Sequence, residues 1–418
     1  MTQPPKTARH GALLLLTGVL GQHRPLSELG ALIDPLAPPD RAAAQRLAAD
    51  TLRHLDRADR LLKPLLKRMP PLAVRNLLRL GTVELCQGGA AHGVVNDAVT
   101  IAGADKRMAS MKGLVNAVLR KVAAEGPAKW DRLPAPRIPD WLRQPLVAAW
   151  GKAAVSAMEA VQARTPPIDL TPRSDAAALA QAVGGDLLPT GSVRLAGGQV
   201  SALPGFEDGA FWVQDAAAAL PARLLGDVAG RRVLDMCAAP GGKTMQLAAA
   251  GALVTALDIS ASRLDRVREN LARTGLKASL VAGDALDHAG RYDAVLLDAP
   301  CSATGTLRRH PDLPHLHEGE RISELIGLQA SMLDHACDLL APGGLLVFAT
   351  CSLLPDEGEC QVEDLLARRK DMAVVPPQAE WIEPGWRSAE GGLRLRPDFW
   401  ADRGGMDGFY MALLRKAG

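Results

Sequence analysis

The stretch "VLDMCAAPGGKT", residues 233–244, decides how the C-terminal half of the chain folds. An apolar run ends at Cys237, a proline and two glycines follow, and Lys243 lies at the start of a segment with helical periodicity. This is the pattern of a β-strand, a tight turn and a helix whose N-terminus favours negative charge. The GGKT ending imitates a phosphate-binding P-loop, but that motif needs a glycine where Cys237 stands, and the stretch also lacks GxGxxG. It therefore supports neither a nucleoside triphosphate nor a dinucleotide as ligand.

The same alternation of strands and helices continues through residues 206–418. The apolar runs that have the character of strands are "RRVLDMCA", "LVTALDIS", "ASLVAGD", "YDAVLLDAP", "GLLVFATCS" and "GFYMALLRK". Such alternation predicts an α/β fold, a doubly wound, Rossmann-like parallel sheet with crossover helices. Ligands of this kind of sheet bind at the carboxyl ends of the strands, so the residues that end each run are candidates for a site.

Carboxylates stand at those strand ends. Asp258, Asp284 and Asp298 end three successive runs, and Asp235 lies just inside the first. A carboxylate placed like Asp258 can accept both hydroxyls of a ribose, and one placed like Asp284 can reach an adenine edge. Each acid alone would more often cap a helix. As a set they favour a nucleoside cofactor without phosphate, S-adenosylmethionine, whose carboxylate suits the helix N-terminus that follows the turn.

The cysteines give a second indication of chemistry. They are Cys86, Cys237, Cys301, Cys337, Cys351 and Cys360. No CxxC pair and no histidine at zinc-finger spacing accompanies them, so we expect a reducing compartment and no metal. Cys301 and Cys351 follow two runs that are neighbours in the usual methyltransferase sheet, which predicts that both thiols face one pocket. Small buried packing residues are the alternative, and the better one for Cys86, Cys337 and Cys360.

Two thiols in one pocket suit the methylation of carbon 5 of a pyrimidine. That carbon is a poor nucleophile until a thiolate adds to carbon 6 and turns the ring into an enamine. After methyl transfer, the proton on carbon 5 must leave and the thiolate must be expelled, and a second group assists this release. Spacing alone does not decide whether Cys301 or Cys351 is the nucleophile.

Residues 1–126 have a different pattern. Apolar residues recur at i, i+3 and i+4 in "RLLKPLLKRM", "LAVRNLLRLGTVEL", "VVNDAVTIAG" and "MKGLVNAVLRKVAAEG", which predicts an all-α bundle. This part of the chain has 18 Lys and Arg against 10 Asp and Glu, whereas the whole chain has a formal net charge of +2. The local excess indicates a module that faces a polyanion, with a solvated helical surface as the alternative.

The segments around this bundle have weaker patterns. A proline-bearing stretch at 127–139 predicts a linker, and short helical and strand-like runs at 140–205 predict a small α+β insert. Near the N-terminus, basic residues precede an apolar segment, as in a signal peptide. Because Leu13, Leu16 and Leu20 fall at helical spacing and no small-x-small cleavage site follows, we predict a first amphipathic helix instead. We expect no membrane span.

Four stretches of the C-terminal half are specific: "DMCAAPGGKT", "DAPCSATGTLRRHPD", "FATCSLLPDEGECQVEDLL" and "DGFYMALLRK". Together they closely resemble the Sun/Nop family of RNA cytosine-5 methyltransferases. The resemblance implies that the cysteine of Thr-Cys-Ser, Cys351, is the nucleophile and that the cysteine of Pro-Cys-Ser, Cys301, promotes product release. It also implies cofactor contacts from Cys237, Ala238, Ala239, Pro240, Gly241, Gly242, Lys243, Asp258, Asp284 and Asp298.

The N-terminal third contains "RLGTVELC", "VVNDAVTIAG" and "GLVNAVLRKV". These resemble the NusB-like RNA-binding domain that precedes the catalytic domain in one bacterial branch, the RsmB (Fmu/Sun) type of 16S rRNA methyltransferase. The resemblance implies S-adenosylmethionine-dependent methylation of carbon 5 of a cytidine in 16S rRNA, and we expect a cytoplasmic monomer. The alternatives are the same chemistry on tRNA or another rRNA site, and a NusB-like RNA-binding factor with vestigial catalysis.

Two further groups of residues have roles that the sequence leaves open. Residues 308–310 (Arg-Arg-His) follow Cys301, and we predict that they meet RNA phosphate, with a solvated loop as the alternative. Residues 407–409 (Asp-Gly-Phe) precede the last strand-like run. The sequence assigns no chemical role to these three residues, and a purely structural role is the one interpretation it offers.

Overall fold

The computed structural model describes residues 4–418, which form two compact units. The helical unit comprises the described residues up to Thr165 together with Leu307–Gly319. The α/β unit comprises Pro166–Thr306 and Glu320–Gly418. We call Leu307–Gly319 the strap, because here the chain leaves the α/β unit, joins the helical unit and then returns.

α-Helices build the helical unit. They are α1 (Ala8–Gln22), α2 (Pro38–Arg53), α3 (Leu55–Leu62), α4 (Leu72–Cys86), α5 (Ala91–Ala104), α6 (Lys112–Trp130) and α7 (Asp140–Gln162). The apolar stripe of α4 supplies much of the shared core. Leu13 and Leu16 of α1 are buried, so the predicted first helix is present, although it is largely apolar rather than amphipathic. Among residues 4–418, no helix is long and apolar enough to cross a membrane.

The helical unit extends further along the chain than the sequence predicts. Helix α6 continues through Pro127 to Trp130, and α7 belongs to this unit. The expected linker at 127–139 therefore begins inside a helix, and the expected start of the insert at residue 140 is wrong. Trp130 is buried, and its carbonyl accepts a hydrogen bond from Arg57 Nη2 at 2.9 Å. Burial of this large side chain outweighs the helix-breaking tendency of Pro127.

The strap is held inside the helical unit by polar contacts. The backbone N–H of Leu26 donates to Asp312 Oδ2 at 2.8 Å. The indole Nε1 of Trp141 donates to the carbonyl of Pro314 at 3.1 Å. Asp312 and Pro314 are both buried. This excursion has no counterpart in the predicted domain order, because no local pattern distinguishes it from the loop that precedes it.

The location of the strap changes one expectation. Arg308 is only 1% exposed, and its carbonyl accepts a hydrogen bond from Arg53 Nη2 at 3.0 Å. The predicted contact with RNA phosphate is therefore wrong for Arg308, because its side chain is buried. Arg309 and His310 are exposed, and for these two the contact stays a prediction.

A small antiparallel sheet begins the α/β unit. Its strands are β1 (Ile168–Pro172), β2 (Asp186–Leu187), β3 (Val193–Leu195) and β4 (Phe211–Val213), in the order β2-β3-β1-β4, with α8 (Ala176–Val183). This is the predicted small α+β insert. It ends later than the expected residue 205, because Val213 of β4 pairs with Leu170 of β1.

The large sheet follows. Its strands are β5 (Arg232–Met236), β6 (Leu253–Asp258), β7 (Ser279–Ala282), β8 (Tyr292–Asp298), β9 (Leu340–Thr350), β10 (Met372–Val374), β11 (Leu393–Leu395) and β12 (Phe409–Lys416). The helices of this part are α9 (Leu220–Leu224), α10 (Gly242–Ala249), α11 (Ala261–Thr274), α12 (Ile322–Leu339) and α13 (Glu359–Arg368). The strand order is β10-β12-β9-β8-β5-β6-β7, with β11 paired to β12. Strands β5 to β9 pair in parallel, so the predicted Rossmann-like sheet is confirmed.

Strand β12 departs from the predicted parallel arrangement. It pairs antiparallel with β9, with Tyr410 opposite Thr350. Just before β12, the backbone N–H of Gly408 donates to the carbonyl of Gly305 at 2.8 Å. The chain therefore enters β12 beside the carboxyl end of β9 and can only run back along that strand.

Candidate active site

The thiols of Cys301 and Cys351 lie together at the carboxyl ends of neighbouring strands. Strands β8 and β9 pair in parallel, with Asp298 opposite Ala349. Cys301 follows β8, Cys351 follows β9, and their Sγ atoms are 3.4 Å apart. The two thiols thus meet, as the order of the strands predicts.

A fully buried carboxylate ties together the two loops that carry these cysteines. We call residues 299–306 the Cys301 loop and residues 351–358 the Cys351 loop. Glu357, with 0% exposure, accepts hydrogen bonds from the backbone N–H of Ser302 at 2.9 Å and from the Ser302 hydroxyl. Gln329 Nε2 donates to Glu357 at 3.0 Å and to a backbone carbonyl of the Cys301 loop at 2.9 Å. One carboxylate of the Cys351 loop therefore fixes the backbone of the Cys301 loop.

Buried hydroxyl groups form a second link between the two loops. Ser302 Oγ and Thr304 Oγ1 each lie 3.2 Å from Ser352 Oγ. The backbone N–H of Leu353 donates to Thr304 Oγ1 at 2.9 Å. All three hydroxyl-bearing side chains are buried. Side chains of both loops thus set the distance between the two sulfur atoms.

The backbones of the two loops also approach closely at Gly305. A Cβ atom added there would lie 2.0 Å from the carbonyl oxygen of Gly408 and 2.8 Å from that of Cys351. The N–H of Gly305 donates to the Cys351 carbonyl at 2.9 Å. Asp407 is buried, and its N–H donates to Asp215 Oδ1 at 3.1 Å. The segment at 407–409 therefore supports the Cys301 loop.

Burial and neighbouring charges shift the pKa of Cys301 and that of Lys243. A hydrogen bond with Cys351, burial and the negative charge of Glu357 raise the pKa of the Cys301 thiol well above its ordinary value. Burial alone would lower the pKa of Lys243, but attraction to Asp298 and to Cys351 raises it above its ordinary value. Cys301 therefore keeps its proton, and Lys243 keeps its positive charge.

The turn after β5 is shaped by its backbone. Cys237 has a φ of 62° and Gly241 a φ of 101°, both in the left-handed region, and the Ala239-Pro240 peptide bond is cis. Helix α10 begins at Gly242, where an added Cβ would lie 3.2 Å from the side chain of Gln214. The turn thus brings bare backbone to a helix N-terminus, where a carboxylate is favoured.

Asp258, at the end of β6, holds this turn in place. It is 2% exposed, and its Oδ2 accepts a hydrogen bond from the N–H of Ala239 at 3.1 Å. Its Oδ1 accepts from the N–H of Ser260 at 3.0 Å and lies 3.6 Å from Arg263 Nη1. The sequence predicts a contact with ribose at this position, with a helix cap as the alternative. A second lone pair remains on each carboxylate oxygen, so the support of the turn and a bond to ribose are compatible.

The other two predicted acids differ in exposure and partners. Lys243 Nζ lies 2.5 Å from Asp298 Oδ2 and 5.4 Å from the ring centroid of Phe409. Asp284, after β7, is exposed, and its Oδ1 accepts a hydrogen bond from the N–H of Leu286 at 2.9 Å. Because Lys243 is engaged by Asp298, this cation of the turn is not presented to a cofactor phosphate.

Beneath the turn lies a carboxyl group with unusual acidity. Asp235 is 1% exposed, and its Oδ2 accepts a hydrogen bond from the hydroxyl of Thr244 at 2.5 Å. Its Oδ1 has no hydrogen-bond partner among the described residues. Burial raises its pKa to about 7. Asp235 therefore binds a proton near neutral pH, unlike an ordinary aspartate.

Sequence reasoning missed the residues that connect the two cysteine loops. They are Ser302, Thr304, Gly305, Gln329, Ser352 and Glu357. Ser302 and Ser352 directly follow the two cysteines, so a polar neighbour of each thiol was an available signal. Gln329 lies in α12 and gave none. Within residues 4–418, no group of three or more His, Cys, Asp or Glu side chains is arranged to hold a metal ion.

Comparison with known proteins adds two family matches and close relatives. The model of the 16S rRNA methyltransferase RsmB/F family matches residues 222–415, and that of the NusB family matches residues 6–124. The chain is 40% identical over 418 residues to the ribosomal RNA small subunit methyltransferase B of Pseudomonas putida, covering 93% of this chain and 94% of that protein. It is 37% identical over 420 residues to the protein of the same name from Pseudomonas syringae pv. tomato, covering 93% and 92%.

Among solved structures, the crystal structure of PH0851 covers 99% of this chain and 100% of that chain. The two superpose with a TM-score of 0.75 at 21% sequence identity. At this identity the likeness shows a shared fold. It extends over both units of the chain.

Proposed function

The chain belongs to the RsmB/F family of 16S rRNA methyltransferases, and on that premise we propose that it methylates carbon 5 of a cytidine in 16S rRNA. The proposed methyl donor is S-adenosylmethionine, and the reaction proceeds through a covalent bond between a cysteine sulfur and carbon 6 of the ring. The observation that carries the proposal is the pair of thiols, Cys301 and Cys351, with sulfur atoms 3.4 Å apart.

In this proposal Cys351 is the nucleophile. The Cys301 thiol, whose pKa is raised by its hydrogen bond to Cys351 and by burial, stays protonated and is therefore the poorer nucleophile. Attraction to Asp298 and to Cys351 raises the pKa of Lys243, so this side chain stays positively charged beside the attacking sulfur. The sulfur of Cys351 adds to carbon 6, and the electron pair displaced towards carbon 5 makes that carbon nucleophilic.

Cys301 then acts in product release. Once Cys351 is bonded to carbon 6 it carries no charge, so one cause of the raised pKa of Cys301 disappears and Cys301 can lose its proton to solvent. The Cys301 thiolate removes the proton from carbon 5. The electrons of that C–H bond restore the double bond between carbons 5 and 6, and Cys351 leaves as a thiolate.

The turn and the strand ends fit the proposed cofactor. Asp284 is exposed at the end of its strand, Lys243 is engaged by Asp298, and the helix N-terminus at Gly242 suits a carboxylate. These features favour a nucleoside without phosphate. When bound, S-adenosylmethionine supplies an electrophilic methyl group. The residues proposed to hold it are Cys237, Ala238, Ala239, Pro240, Gly241, Gly242, Lys243, Asp258, Asp284 and Asp298.

A pair of substitutions tests the assignment of the two cysteines. We expect Cys351→Ala to abolish both methyl transfer to unmodified 16S rRNA and covalent capture of the RNA. We expect Cys301→Ala to leave an RNA–protein adduct that survives denaturation, because the proton on carbon 5 is no longer removed. The measurements are methyl incorporation, identification of 5-methylcytidine in the product, and mobility of the protein in denaturing gels.

Cys360→Ala is the matched control, because this partly buried cysteine lies outside both cysteine loops. It should methylate rRNA like the parent protein. Adduct accumulation in Cys351→Ala rather than in Cys301→Ala would exchange the two roles. A product methylated at a position other than carbon 5 would overturn the proposed chemistry.

A further inference from the structure

Arg394 is a buried cation of the α/β unit. It lies in the middle of β11 and is 5% exposed, while its neighbours Leu393 and Leu395 belong to the apolar core. Side chains alternate along a strand, so Arg394 points away from that core. Its Nε and Nη2 donate to the carboxylate of Glu359 at 3.0 and 2.5 Å, and its Nη1 donates to the carbonyl oxygen of Ser352.

These two partners lie at the two ends of the Cys351 loop. Ser352 directly follows Cys351, and Glu359 directly follows Gly358, the last residue of the loop. A Cβ atom added at Gly358 would lie 2.5 Å from Arg394 Nη2, so the loop has no side chain where the guanidinium lies. One planar, rigid group of donors therefore joins the start of the loop to its end.

Arg394 is in turn supported by β12. Its guanidinium carbon lies 5.1 Å from the ring centroid of Tyr410. The hydroxyl of Tyr410 donates to Glu390 Oε1 at 2.6 Å, and in the sheet Tyr410 pairs with Thr350, the residue directly before Cys351. Both side chains are 0% exposed, so this support is part of the packed interior.

Stability alone does not account for a buried ion pair at this place. Removing two charges from water costs about as much as their attraction returns, and apolar side chains of similar volume often give equal or greater stability. An apolar side chain, however, cannot donate to the carbonyl of Ser352. The pair of Arg394 and Glu359 thus supplies a backbone contact beside Cys351 that packing cannot replace.

We propose that Arg394 is a positioning residue for the attack of Cys351 on carbon 6, an inference that rests on the proposed function. It acts through the backbone: by holding the Ser352 carbonyl, it fixes the direction from which the sulfur of Cys351 approaches the ring. Glu359 orients the guanidinium for this contact. Glu357 holds the Cys351 loop to the Cys301 loop, whereas Arg394 holds the two ends of the Cys351 loop together.

Arg394→Met, made in the full chain with Cys301→Ala so that the RNA adduct accumulates, tests this role. At saturating 16S rRNA and S-adenosylmethionine, the rate of adduct formation should fall about thirty- to a hundredfold, because a displacement of about 1 Å at a reacting atom costs roughly that much. The rRNA concentration that gives half the maximal rate should change by no more than about twofold, since binding is not the function lost. Time courses on denaturing gels measure both quantities.

Arg394→Lys should recover part of the lost rate. An ammonium group can donate to the Ser352 carbonyl, but it lacks the fork that holds Glu359 at the same time. A rate in Arg394→Lys no better than in Arg394→Met would contradict the contact with the carbonyl.

Arg396→Met is the matched control. Arg396 lies two positions further along, donates to both carboxylate oxygens of Asp398 at 3.1 and 2.9 Å, and has its guanidinium carbon 4.8 Å from the ring centroid of Phe399. Its side-chain contacts within residues 4–418 do not include the Cys351 loop. This variant should form the adduct at the rate of the Cys301→Ala protein. Equal losses in the two variants would mean that loss of any arginine in this segment slows the reaction, and the proposal would be wrong.

A purely structural role is separated by removing both members of the pair. Arg394→Met leaves Glu359 as an unpaired buried charge and should lower the midpoint of urea unfolding, and Glu359→Leu added to it should restore most of that midpoint. Adduct formation should stay slow in the double variant, because the Ser352 carbonyl still lacks its donor. If the rate returns together with the stability, Arg394 merely supports the fold.

The pH dependence of adduct formation separates positioning from a direct effect of charge. We expect Arg394→Met to lower the rate by the same factor at every pH. A shift of the profile to higher pH would show that the cation promotes ionisation of a thiol, and would overturn an action through the backbone.

Failure of this inference can be told apart from failure of the proposed function. If the Cys301→Ala protein forms the adduct and Arg394→Met forms it equally fast, Arg394 has no positioning role and the proposed chemistry stands. If the Cys301→Ala protein forms no adduct and the parent forms no 5-methylcytidine, the proposed chemistry fails and this inference fails with it.

Discussion

The cysteine loops and the cofactor turn lie at strand ends of one sheet, yet they are held in different ways. The turn after β5 depends on backbone conformation, with left-handed residues at Cys237 and Gly241. The Cys301 and Cys351 loops depend on buried side chains, above all the carboxylate of Glu357 and the hydroxyl of Ser302. The backbone conformation of the turn can be recognised in the sequence from its glycine-rich motif. The side-chain contacts between the two cysteine loops can be recognised only in the folded structure, where the loops meet.

Both regions use a buried carboxylate to accept backbone N–H groups, but over different distances along the chain. Asp258 reaches Ala239, 19 positions away in the sequence, and is one strand from the turn it supports. Glu357 reaches Ser302, 55 positions away, across one α-helix and one strand. Closing a longer loop costs more conformational entropy, so the cysteine loops depend more on the contacts that remain after folding. We therefore expect substitutions in the cysteine loops to have the larger effects.

The largest effect is expected from Gly305→Ala. The added Cβ would lie 2.0 Å from the carbonyl oxygen of Gly408 and 2.8 Å from that of Cys351, and neither backbone can move without breaking β12 pairing or the Cys351 loop. We expect a loss of about 3 kcal/mol or more in the free energy of unfolding, together with loss of methyl transfer. Urea unfolding and methyl incorporation measure the two effects.

Gly327→Ala is the control for this substitution. Gly327 lies in α12 with nothing within 4 Å of an added Cβ. Alanine there should stabilise the helix by about 0.5–1 kcal/mol, because it restricts the unfolded chain more than glycine does. Equal stability of the two variants would show that the close approach at Gly305 does not constrain the cysteine loops.

The next largest effect is expected from Glu357→Gln. The substitution keeps the shape of the side chain but replaces a charged acceptor with a neutral one, so we expect a loss of about 1–2 kcal/mol in the free energy of unfolding. Removal of the negative charge also removes one cause of the raised pKa of Cys301. In this variant Cys301 should lose its proton at lower pH, and the breakdown of the covalent RNA adduct should reach its maximal rate at lower pH than in the parent protein.

A purely structural role of Glu357 predicts a different result. Stability would fall, but the pH at which adduct breakdown becomes maximal would stay that of the parent. The pH profile of release therefore separates positioning of the thiols from support of the fold, and loss of stability alone does not.

How much of the fold the sequence predicts depends on the same contrast between local patterns and contacts that join distant parts of the chain. The parallel pairing of β5 to β9 was predictable, because alternating strands and helices are local patterns and βαβ crossovers restrict their arrangement. The strap was not, because its anchor Asp312 bonds to Leu26, 286 positions away. The extension of α6 to Trp130 was not either, because a proline argues for a break until the burial of the tryptophan is known.

Within the site, residues of the glycine-rich turn were predictable and the residues that unite the cysteine loops were not. The turn has a sequence signature because its backbone demands particular residue types. Gln329 has none, since it joins Glu357 from a helix 28 positions away and is one glutamine among the polar residues of α12. The family motifs surround Glu357, but they do not say which loop it fixes.

The smallest effect, and the test of the turn itself, is expected from Asp235→Asn. Burial raises the pKa of Asp235 from 3.8 to about 7, so between these values the folded protein holds a proton that the unfolded chain has lost. The stability that this proton provides is fully present below a pH of about 4 and is lost as the pH rises through about 7. An asparagine side chain at this position does not titrate, so the variant should lose less stability than the parent across this window.

Urea unfolding of the cofactor-free protein at several pH values between about 4.5 and 8 measures this difference. Asp284→Asn is the control for removal of a carboxylate, because Asp284 is exposed and follows a strand of the same sheet. Parallel stability curves for the parent and Asp235→Asn would mean that the carboxylate is charged when folded, with its unpaired Oδ1 reached by water or by Lys243. The turn would then rest on a buried charge, as the cysteine loops do, and the contrast between the two regions would disappear.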